Sequence, residues 1–200
     1  MLVRIYDKNP SERDLQRVAD VLSRGGVVAY PTDGVYAFGC ALRSAKGVAR
    51  LHALCGKEVA ELSVVFDSLS SVADYCRVDN AAFRILKRNL PGPFTFILPA
   101  SSRMPDKVLS KRRTIGVRMP ANAVARAVAA CVDGPLLTAS VVDRDGEQEY
   151  TTDPSLIEER YGREIDLVVD GGIGSVVPTT VVDLTEGEPE VVREGGGELK

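Results

Sequence analysis

Small polar residues follow a short apolar run early in the chain, in the stretch GGVVAYPTDG. Residues 27–30 are β-branched or aromatic enough to form a buried strand, and Pro31 ends that strand because proline has no N–H to donate. Thr32 and Asp33 come next. Because ligands collect beyond the carboxyl ends of strands in open α/β sheets, we expect these two side chains at a binding site. An ordinary β-turn built on the Asp33-Gly34 step is the alternative interpretation.

Two later segments place polar side chains on one face of a strand. Thr114 and Arg118 lie four residues apart in TIGVRMP, and Thr138 and Ser140 lie two apart in PLLTAS, so each pair shares a face if the segment is extended. An arginine guanidinium suits a carboxylate because it can donate two parallel hydrogen bonds. These side chains are candidate ligand contacts, and a solvated arginine on a half-exposed strand is the alternative for Arg118.

Composition excludes several other kinds of site. Hydrophobic residues make up 44% of the 200 residues and charged residues 26%, which is typical of one globular domain. The single histidine, His52, supports neither a metal site nor a catalytic triad, and the four cysteines form no CxxC pair. No apolar run approaches the ~20 residues that span a bilayer. Charges in the first ten residues argue against export, so we expect a cytoplasmic protein with reduced thiols and no membrane contact.

The elements that must position these residues alternate along the chain. Ser11, with Asp14 three residues later, predicts a capped first helix, and Ser44, Asp79 or Asn80, Asn122, and Asp153 with Pro154 predict later helix starts. In the helix after Asp79, we expect Ala82, Phe83, Leu86 and Leu90 to point inward. Residues 195–197, all glycine, predict a flexible tail. Strands are expected at residues 2–6, 27–30, 62–66, 94–98, 114–119, 136–142, 167–170, 180–184 and 191–193. This order predicts a twisted, mixed α/β sheet with flanking helices.

Several motifs together resemble the YrdC/YciO-like family. PTDGVYAFGC is similar to the signature PT(D/E)(T/S)xYxLGC, TIGVRMP to (S/T)xGxRxP, and PLLTAS to the PLxxTSAN region. VPTTVVD and VVREGGG resemble two further family segments, and the resemblance spans roughly residues 3–197, closest to the YciO branch. It implies one YrdC-like domain over residues 1–200, curved around a concave cleft, without the C-terminal domain of longer members.

The resemblance also implies an activity and a set of ligand contacts. The best-known members of the family make threonylcarbamoyl-adenylate and pyrophosphate from threonine, bicarbonate and ATP, with Mg²⁺, for tRNA modification. The residues implied on the threonine side are Thr32, Arg118, Thr138 and Thr180. Those implied on the nucleotide side are Lys57, Thr114, Ser140, Thr179 and Arg193.

Three departures from the family pattern bear on this activity. Synthases carry a Lys-x-Arg pair where this chain has LCGKEVAELS, so Cys55 falls on the lysine and Lys57 on the arginine. Phe66 stands where synthases have a ligand-facing histidine, and Val142 replaces an asparagine. Loss of one charge-assisted contact costs ~1.5–3 kcal/mol of binding free energy. Two functions therefore stay open: a synthase-like nucleotidyltransferase, or a nucleotide- or double-stranded-RNA-binding member that has lost synthesis.

A group of cations is the best candidate for contact with RNA. Three of them fall on one helical face at i, i+3 and i+4. The functional interpretation is electrostatic contact with the backbone of tRNA or double-stranded RNA, since no aromatic residues are interleaved for base stacking. A solvated helix face is the alternative. The cations are Arg84, Lys87 and Arg88 on the helix, and Lys107, Lys111, Arg112 and Arg113 on the loop that follows the next strand.

Overall fold

The computed structural model describes residues 1–56, 62–141 and 146–200. Within these ranges ten strands form one mixed sheet in the order β1-β8-β2-β3-β7-β4-β6-β5-β9-β10. The strands are β1 Leu2–Arg4, β2 Val28–Tyr30, β3 Ala37–Ala41, β4 Ser63–Val65, β5 Phe94–Pro99, β6 Thr114–Arg118, β7 Leu136–Ser140, β8 Leu167–Asp170, β9 Thr180–Asp183 and β10 Glu190–Arg193. The predicted α/β fold with a twisted mixed sheet is thus confirmed.

Six α-helices flank the sheet in the described part of the chain. They are α1 Glu12–Ser23, α2 Ala45–Cys55, α3 Leu69–Tyr75, α4 Asn80–Asn89, α5 Ala123–Ala130 and α6 Pro154–Tyr161. Short 3₁₀ turns occur at Asp106–Val108 and Gln148–Thr151.

Side-chain caps start four of these helices as the sequence predicts. Ser44, Asp79, Asn122 and Asp153 each accept a hydrogen bond from a backbone N–H in the first turn of the helix that follows. The first helix differs: Ser11 occupies the N-cap position of α1, but its side chain makes no capping hydrogen bond. The predicted capping box is therefore wrong, although the helix begins where expected.

The back face of the sheet is covered along most of its width. Alternate strand residues such as Phe38, Val64, Phe96 and Val117 point to this face and join one large buried cluster. Helices α2, α3, α4 and α6 add the apolar residues that complete it: Leu51, Leu54, Val72, Tyr75, Ala82, Leu86, Ile157 and Tyr161.

The front face is covered over only about half of its strands. A second cluster joins Val28, Tyr30 and Leu136 of the sheet to Val18 and Leu22 of α1, and it also includes α5. The front faces of β5, β6 and β9 lie beyond this cluster and line a cavity. The open half of the front face is therefore where the fold can admit a ligand.

Three details of the fold differ from the sequence-based expectations. Strand β3 was not predicted, because its Ala, Gly and Cys residues carry little β-propensity. Phe83 is 41% exposed, since it lies about 100° around α4 from the buried Ala82 and only the stripe through Ala82 and Leu86 faces the core. Residues 195–197 are docked against the start of β9: the Gly196 N–H donates to Pro178 O at 2.9 Å, and the Gly197 N–H donates to Thr180 Oγ1 at 2.9 Å.

Candidate ligand-binding cavity

A cavity of about 960 Å³ lies over the uncovered part of the front face. Its floor comes from every second residue of neighbouring strands, including Thr95, Ile97, Gly116 and Val181. Polar and apolar groups alternate around it, so the cavity suits a ligand with both charged and apolar parts. The remaining lining residues are Cys55, Leu62, Ser63, Leu109, Ser110, Lys111, Arg112, Thr114, Ile115, Arg118, Ala139, Ser140, Thr179, Asp183 and Arg193.

Gly116 keeps the floor of the cavity closely packed. In the sheet register it stands between Ser63 of β4 and Ile97 of β5. A Cβ atom at this position would lie 2.9 Å from both Ser63 Cβ and Thr95 Cγ2. Glycine is therefore the residue that lets the three strands approach here without strain.

Arg118 is the most unusual side chain of the cavity. It is 5% exposed, and its Nε and Nη2 atoms are buried without a hydrogen-bond partner among the described residues. Burial lowers the pKa of this guanidinium, although Tyr30 and Asp33 oppose the shift. A buried cation without a bonded counter-charge is costly, and an anionic ligand would supply the missing acceptors.

A second arginine reaches the cavity from the edge of the sheet. Arg193 on β10 donates from Nη2 to the carbonyl oxygen of Thr179 at 3.0 Å and from Nε to the same oxygen at 3.3 Å. The hydroxyls of Thr179 and Thr95 are 3.0 Å apart. The charge of Arg193 contributes to the lowered pKa of Arg118, which indicates that the two cations converge on one region.

The loop before β6 forms another wall. The hydroxyl groups of Ser110 and Thr114 are hydrogen-bonded to each other at 2.7 Å, and both residues line the cavity. Lys111 and Arg112 lie between them, and Arg112 also pairs with Glu186 at 2.8 Å. Arg113 has a positive φ of 57°, a conformation that is uncommon for a residue with a side chain. Ser110 was not predicted at the site, although a hydroxyl four residues before Thr114 in the basic loop was a signal for it.

The structure brings together most residues predicted on the nucleotide side. Thr114, Ser140, Thr179 and Arg193 line the cavity, as does Arg118 from the threonine side. Lys57 and Val142 lie outside the described residues. Four polar residues that line the cavity were not predicted at the site: Ser63, Thr95, Ser110 and Asp183. Thr95 could have been found from the sequence, because it is a polar residue between the apolar Phe94 and Phe96 of a predicted strand.

Three threonines predicted on the threonine side are engaged in internal hydrogen bonds. Thr32 Oγ1 donates to Val35 O at 2.8 Å, and Thr138 Oγ1 accepts from the Tyr30 hydroxyl at 2.8 Å. Thr180 Oγ1 donates to Gly197 O at 2.7 Å. All three are buried, and none of them is among the residues that line the cavity.

Asp33 organises the start of α5. Its two carboxylate oxygens accept from the backbone N–H groups of Ala121 and Asn122 at 2.9 and 2.8 Å. The polar loop at the carboxyl end of β2 is thus tied to the polypeptide that follows β6. This geometry supports the turn interpretation of the Asp33-Gly34 step more than a direct ligand contact.

Cys55 and Phe66, two positions where the sequence departs from the family pattern, lie in the described part of the chain. Cys55, at the end of α2, lines the cavity. Phe66 belongs to the back-face cluster, where its ring lies 5.8 Å from that of Tyr75. Both residues therefore contact the back-face cluster, and Cys55 also borders the cavity.

The basic residues do not form one surface. Ala82 and Leu86 of α4 pack into the back-face cluster, so the exposed Arg84, Lys87 and Arg88 point away from the sheet on that side. Lys111 and Arg112 line the cavity on the front. Arg113 forms an ion pair with Asp106 at 2.9 Å, and the carboxylate partly offsets the attraction of Arg113 for a polyanion.

Asp183 is the side chain of the cavity that could contact a divalent cation. In residues 1–56, 62–141 and 146–200, no group of three or more His, Cys, Asp or Glu side chains is placed to hold a metal. Asp183 is the one carboxylate among the described lining residues. Mg²⁺ in nucleotide sites uses one or two carboxylates together with phosphate oxygens and water, so Asp183 fits that requirement.

The described helices include none that is both long and apolar enough to cross a membrane.

Comparison with known proteins identifies relatives over nearly the whole chain. The protein YciO of Escherichia coli K12, which is itself uncharacterized, is 36% identical over 200 residues, covering 98% of this chain and 96% of YciO. The crystal structure of E. coli YciO superposes with a TM-score of 0.91, at 36% identity, over 99% of this chain and 97% of that chain.

Threonylcarbamoyl-AMP synthases are also similar. The enzyme of Halorhodospira halophila is 34% identical over 176 residues, covering 86% of this chain and 91% of the synthase. The crystal structure of Pyrococcus abyssi Sua5 complexed with L-threonine has a TM-score of 0.87 and 26% identity, over 98% of this chain and 58% of that chain. A model of the Sua5, YciO and YrdC proteins, described as "Telomere recombination", matches residues 20–195, and this chain therefore belongs to the Sua5/YciO/YrdC family.

Proposed function

We propose that this protein is an L-threonylcarbamoyladenylate synthase-like nucleotidyltransferase that acts on threonine, bicarbonate and ATP, for tRNA modification. The observation that carries the proposal is Arg118, a buried guanidinium with Nε and Nη2 unbonded at a cavity of about 960 Å³. A carboxylate is the ligand group that such a planar donor pair fits. The synthase relatives and the threonine complex of Sua5 support threonine as the source of that carboxylate.

The proposed reaction joins a carbamate to a nucleotide. The threonine amine and bicarbonate give a carbamate and water. A carbamate oxygen then attacks the α-phosphorus of ATP, a new P–O bond forms, and the bond to the β-phosphate breaks to release pyrophosphate. Positioning and fixed positive charge supply most of the acceleration in such transfers. Mg²⁺ bound to ATP would neutralise phosphate charge, with Asp183 as the protein residue able to hold it.

In this proposal one group of residues binds threonine and another group binds ATP. Arg118 binds the threonine carboxylate and fixes the orientation of the amine. Thr114, Ser140 and Thr179 offer hydroxyl groups to the nucleotide, and Arg193 offers charge to its phosphates; all four line the cavity. The resemblance places Lys57 on the phosphates as well, although it lies outside the described residues.

A direct assay tests this function. Purified protein is incubated with Mg-ATP, threonine and bicarbonate, pyrophosphate release is followed, and threonylcarbamoyl-adenylate is identified by its mass. We expect product that requires both threonine and bicarbonate, and a loss of at least about tenfold in turnover in Arg118→Ala, because one charge-assisted contact is removed. The matched control is Arg17→Ala on α1, an exposed arginine outside the cavity. Turnover that survives Arg118→Ala unchanged would remove the assignment.

One observation favours a second candidate, a member that binds a nucleotide or double-stranded RNA without synthesis. Cys55 lines the cavity at the position where the resemblance puts a synthase lysine, and a thiol brings no positive charge to a triphosphate. ATP binding without product would support this candidate, and Cys55→Lys would then be expected to tighten ATP binding. RNA affinity that falls steeply with salt, together with no ATP binding, would support the RNA alternative.

A further inference from the structure

Two adjacent threonines at the start of β9 point to opposite faces of the sheet and hold two parts of the C-terminal segment. Thr179 faces the cavity, where its carbonyl and hydroxyl oxygens accept from Arg193 at 3.0 and 3.4 Å. Thr180 faces the other way, and its hydroxyl donates to Gly197 O at 2.7 Å and accepts from Gly197 N at 2.9 Å. Strand β10 and the residues after it are therefore fastened from both sides of β9.

Two of the three glycines at 195–197 are required by this docking. A Cβ at Gly195 would collide with the carbonyl oxygen of Pro178 and lie 2.6 Å from Thr180 N, so the backbone of Gly195 lies directly on β9. A Cβ at Gly197 would lie 2.5 to 2.8 Å from atoms of the Phe94 ring. Neither position has room for a side chain without displacement of its neighbours.

The segment is anchored again at its far end. Asn89, which is 6% exposed at the end of α4, accepts from Lys200 N at 2.9 Å and donates to Lys200 O at 3.2 Å. Leu199 packs against the back-face cluster. Residues 195–200 thus form a strap that connects the core behind the sheet with β10, the strand that carries Arg193.

Apart from the strap and the bonds of Arg193, strand β10 makes few stabilising contacts. It lies at the edge of the sheet, it pairs with β9 through an irregular register, and all four of its residues are exposed. An exposed edge strand with few buried contacts opens at low cost in free energy. The position of Arg193 therefore depends on the strap as well as on its own hydrogen bonds to Thr179.

We infer that Thr180 is a positioning residue for anion binding: its hydroxyl holds the strap, and the strap keeps the guanidinium of Arg193 at the cavity. This inference rests on the proposed function only in taking the cavity as an anion site. It assigns to Thr180 a role through Arg193 in place of the direct ligand contact that family resemblance implies.

The test is a double-mutant cycle with inorganic pyrophosphate as the probe, measured by calorimetry on the full chain. We expect Arg193→Ala to weaken binding by about ten- to hundredfold and Thr180→Val by about three- to tenfold. In the Arg193→Ala background, Thr180→Val should have no further effect, because the residue that it positions is gone. Thr180→Ser keeps the hydroxyl and should bind as the wild type does.

Hydrogen exchange gives a second measurement that does not depend on the ligand. Thr180→Val should speed amide exchange in residues 190–197 and leave β4 and β6 unchanged. If Thr180→Val does not fold, Gly197→Ala displaces the same strap against Phe94 and replaces it in the cycle.

The outcomes separate this inference from the proposed function. Equal weakening by Thr180→Val with and without Arg193, or faster exchange with unchanged pyrophosphate binding, would overturn the inference and leave the function intact. Pyrophosphate binding with the expected coupling, but no threonylcarbamoyl-adenylate formed, would overturn synthesis and leave the inference intact. A wild-type protein that binds no pyrophosphate would overturn both.

Discussion

At the level of single residues, Arg118 carries a buried charge whose hydrogen-bonding capacity is only partly used. Its guanidinium is buried, burial lowers its pKa, and two of its nitrogen atoms have no hydrogen-bond partner in the described part of the chain. A polar group left in this state opposes folding by ~1–3 kcal/mol, and a charged group by more. Sites that bind a ligand commonly retain such destabilising groups, because the ligand completes them.

Arg118→Met should therefore stabilise the protein. Methionine has a similar length and no buried charge, so we expect the free energy of unfolding to rise by about 1–3 kcal/mol, measured by urea denaturation without ligand. The same variant should lose threonine binding. Arg17→Met is the control, because this exposed arginine should change stability by less than about 0.5 kcal/mol. A less stable Arg118→Met protein would mean that the guanidinium has a structural partner after all.

At the level of elements, the loop after β2 and the start of α5 depend on each other. Asp33 accepts from two backbone N–H groups that precede α5, and Asn122 returns a hydrogen bond from its side chain to Thr32 O at 3.3 Å. Because β6 ends just before this segment, the contact also fixes the chain that leaves Arg118. The carboxylate of Asp33, which follows β2, thus helps to fix the position of the segment that follows β6.

Asp33→Ala should destabilise the protein without a direct effect on ligand contacts. We expect a loss of about 1–3 kcal/mol in the free energy of unfolding, because two N–H groups lose their acceptor. Asp33→Asn keeps one oxygen and should lose less. Denaturation in urea, followed by circular dichroism, measures both. Unchanged stability of Asp33→Ala together with lost threonine binding would show instead that Asp33 contacts the ligand.

At the level of the whole molecule, the two faces of the sheet differ in solvent access. The back face carries helices along most of its width, and two of the cysteines, Cys40 and Cys76, are buried in its cluster. Burial raises the pKa of each thiol to about 12. The open part of the front face carries the charged cavity. The back of the sheet is therefore a buried apolar layer, whereas the front is partly accessible to solvent.

This burial predicts a loss of stability in alkaline solution. In the unfolded chain the thiols ionise near pH 9, whereas the folded protein retains their protons up to about pH 12. Since the folded state binds more protons in this window, stability is full below pH 9 and falls as the pH rises. Between pH 9 and 10 the loss is ~1 kcal/mol for each thiol.

Urea unfolding at pH 8, 9 and 10 measures this loss. The double variant Cys40→Ala, Cys76→Ala should show a shallower decline than the wild type. Tyr30 and Tyr36 also have raised pKa values, but their ordinary value of 10.0 places most of their effect above pH 10. An identical decline in the double variant would mean that water reaches the thiols of the back face.

Local sequence signals determined many elements of this protein. The caps at Ser44, Asp79, Asn122 and Asp153 act within a few residues of their own position, so they could be recognised without knowledge of the fold. The alternation in residues 94–98 predicted a strand with one buried face, which is observed. The order of short motifs also identified the family.

The tertiary structure decided what these local signals could not. Thr179 and Thr180 are adjacent and chemically alike, yet the first faces the cavity and the second holds the strap, because the sheet leaves only part of one face uncovered. The glycines at 195–197 predict flexibility in isolation, yet Gly195 and Gly197 lie so close to β9 and Phe94 that a side chain would not fit at either position. Which residues meet depends on contacts between distant segments, and only the folded sheet brings those segments together.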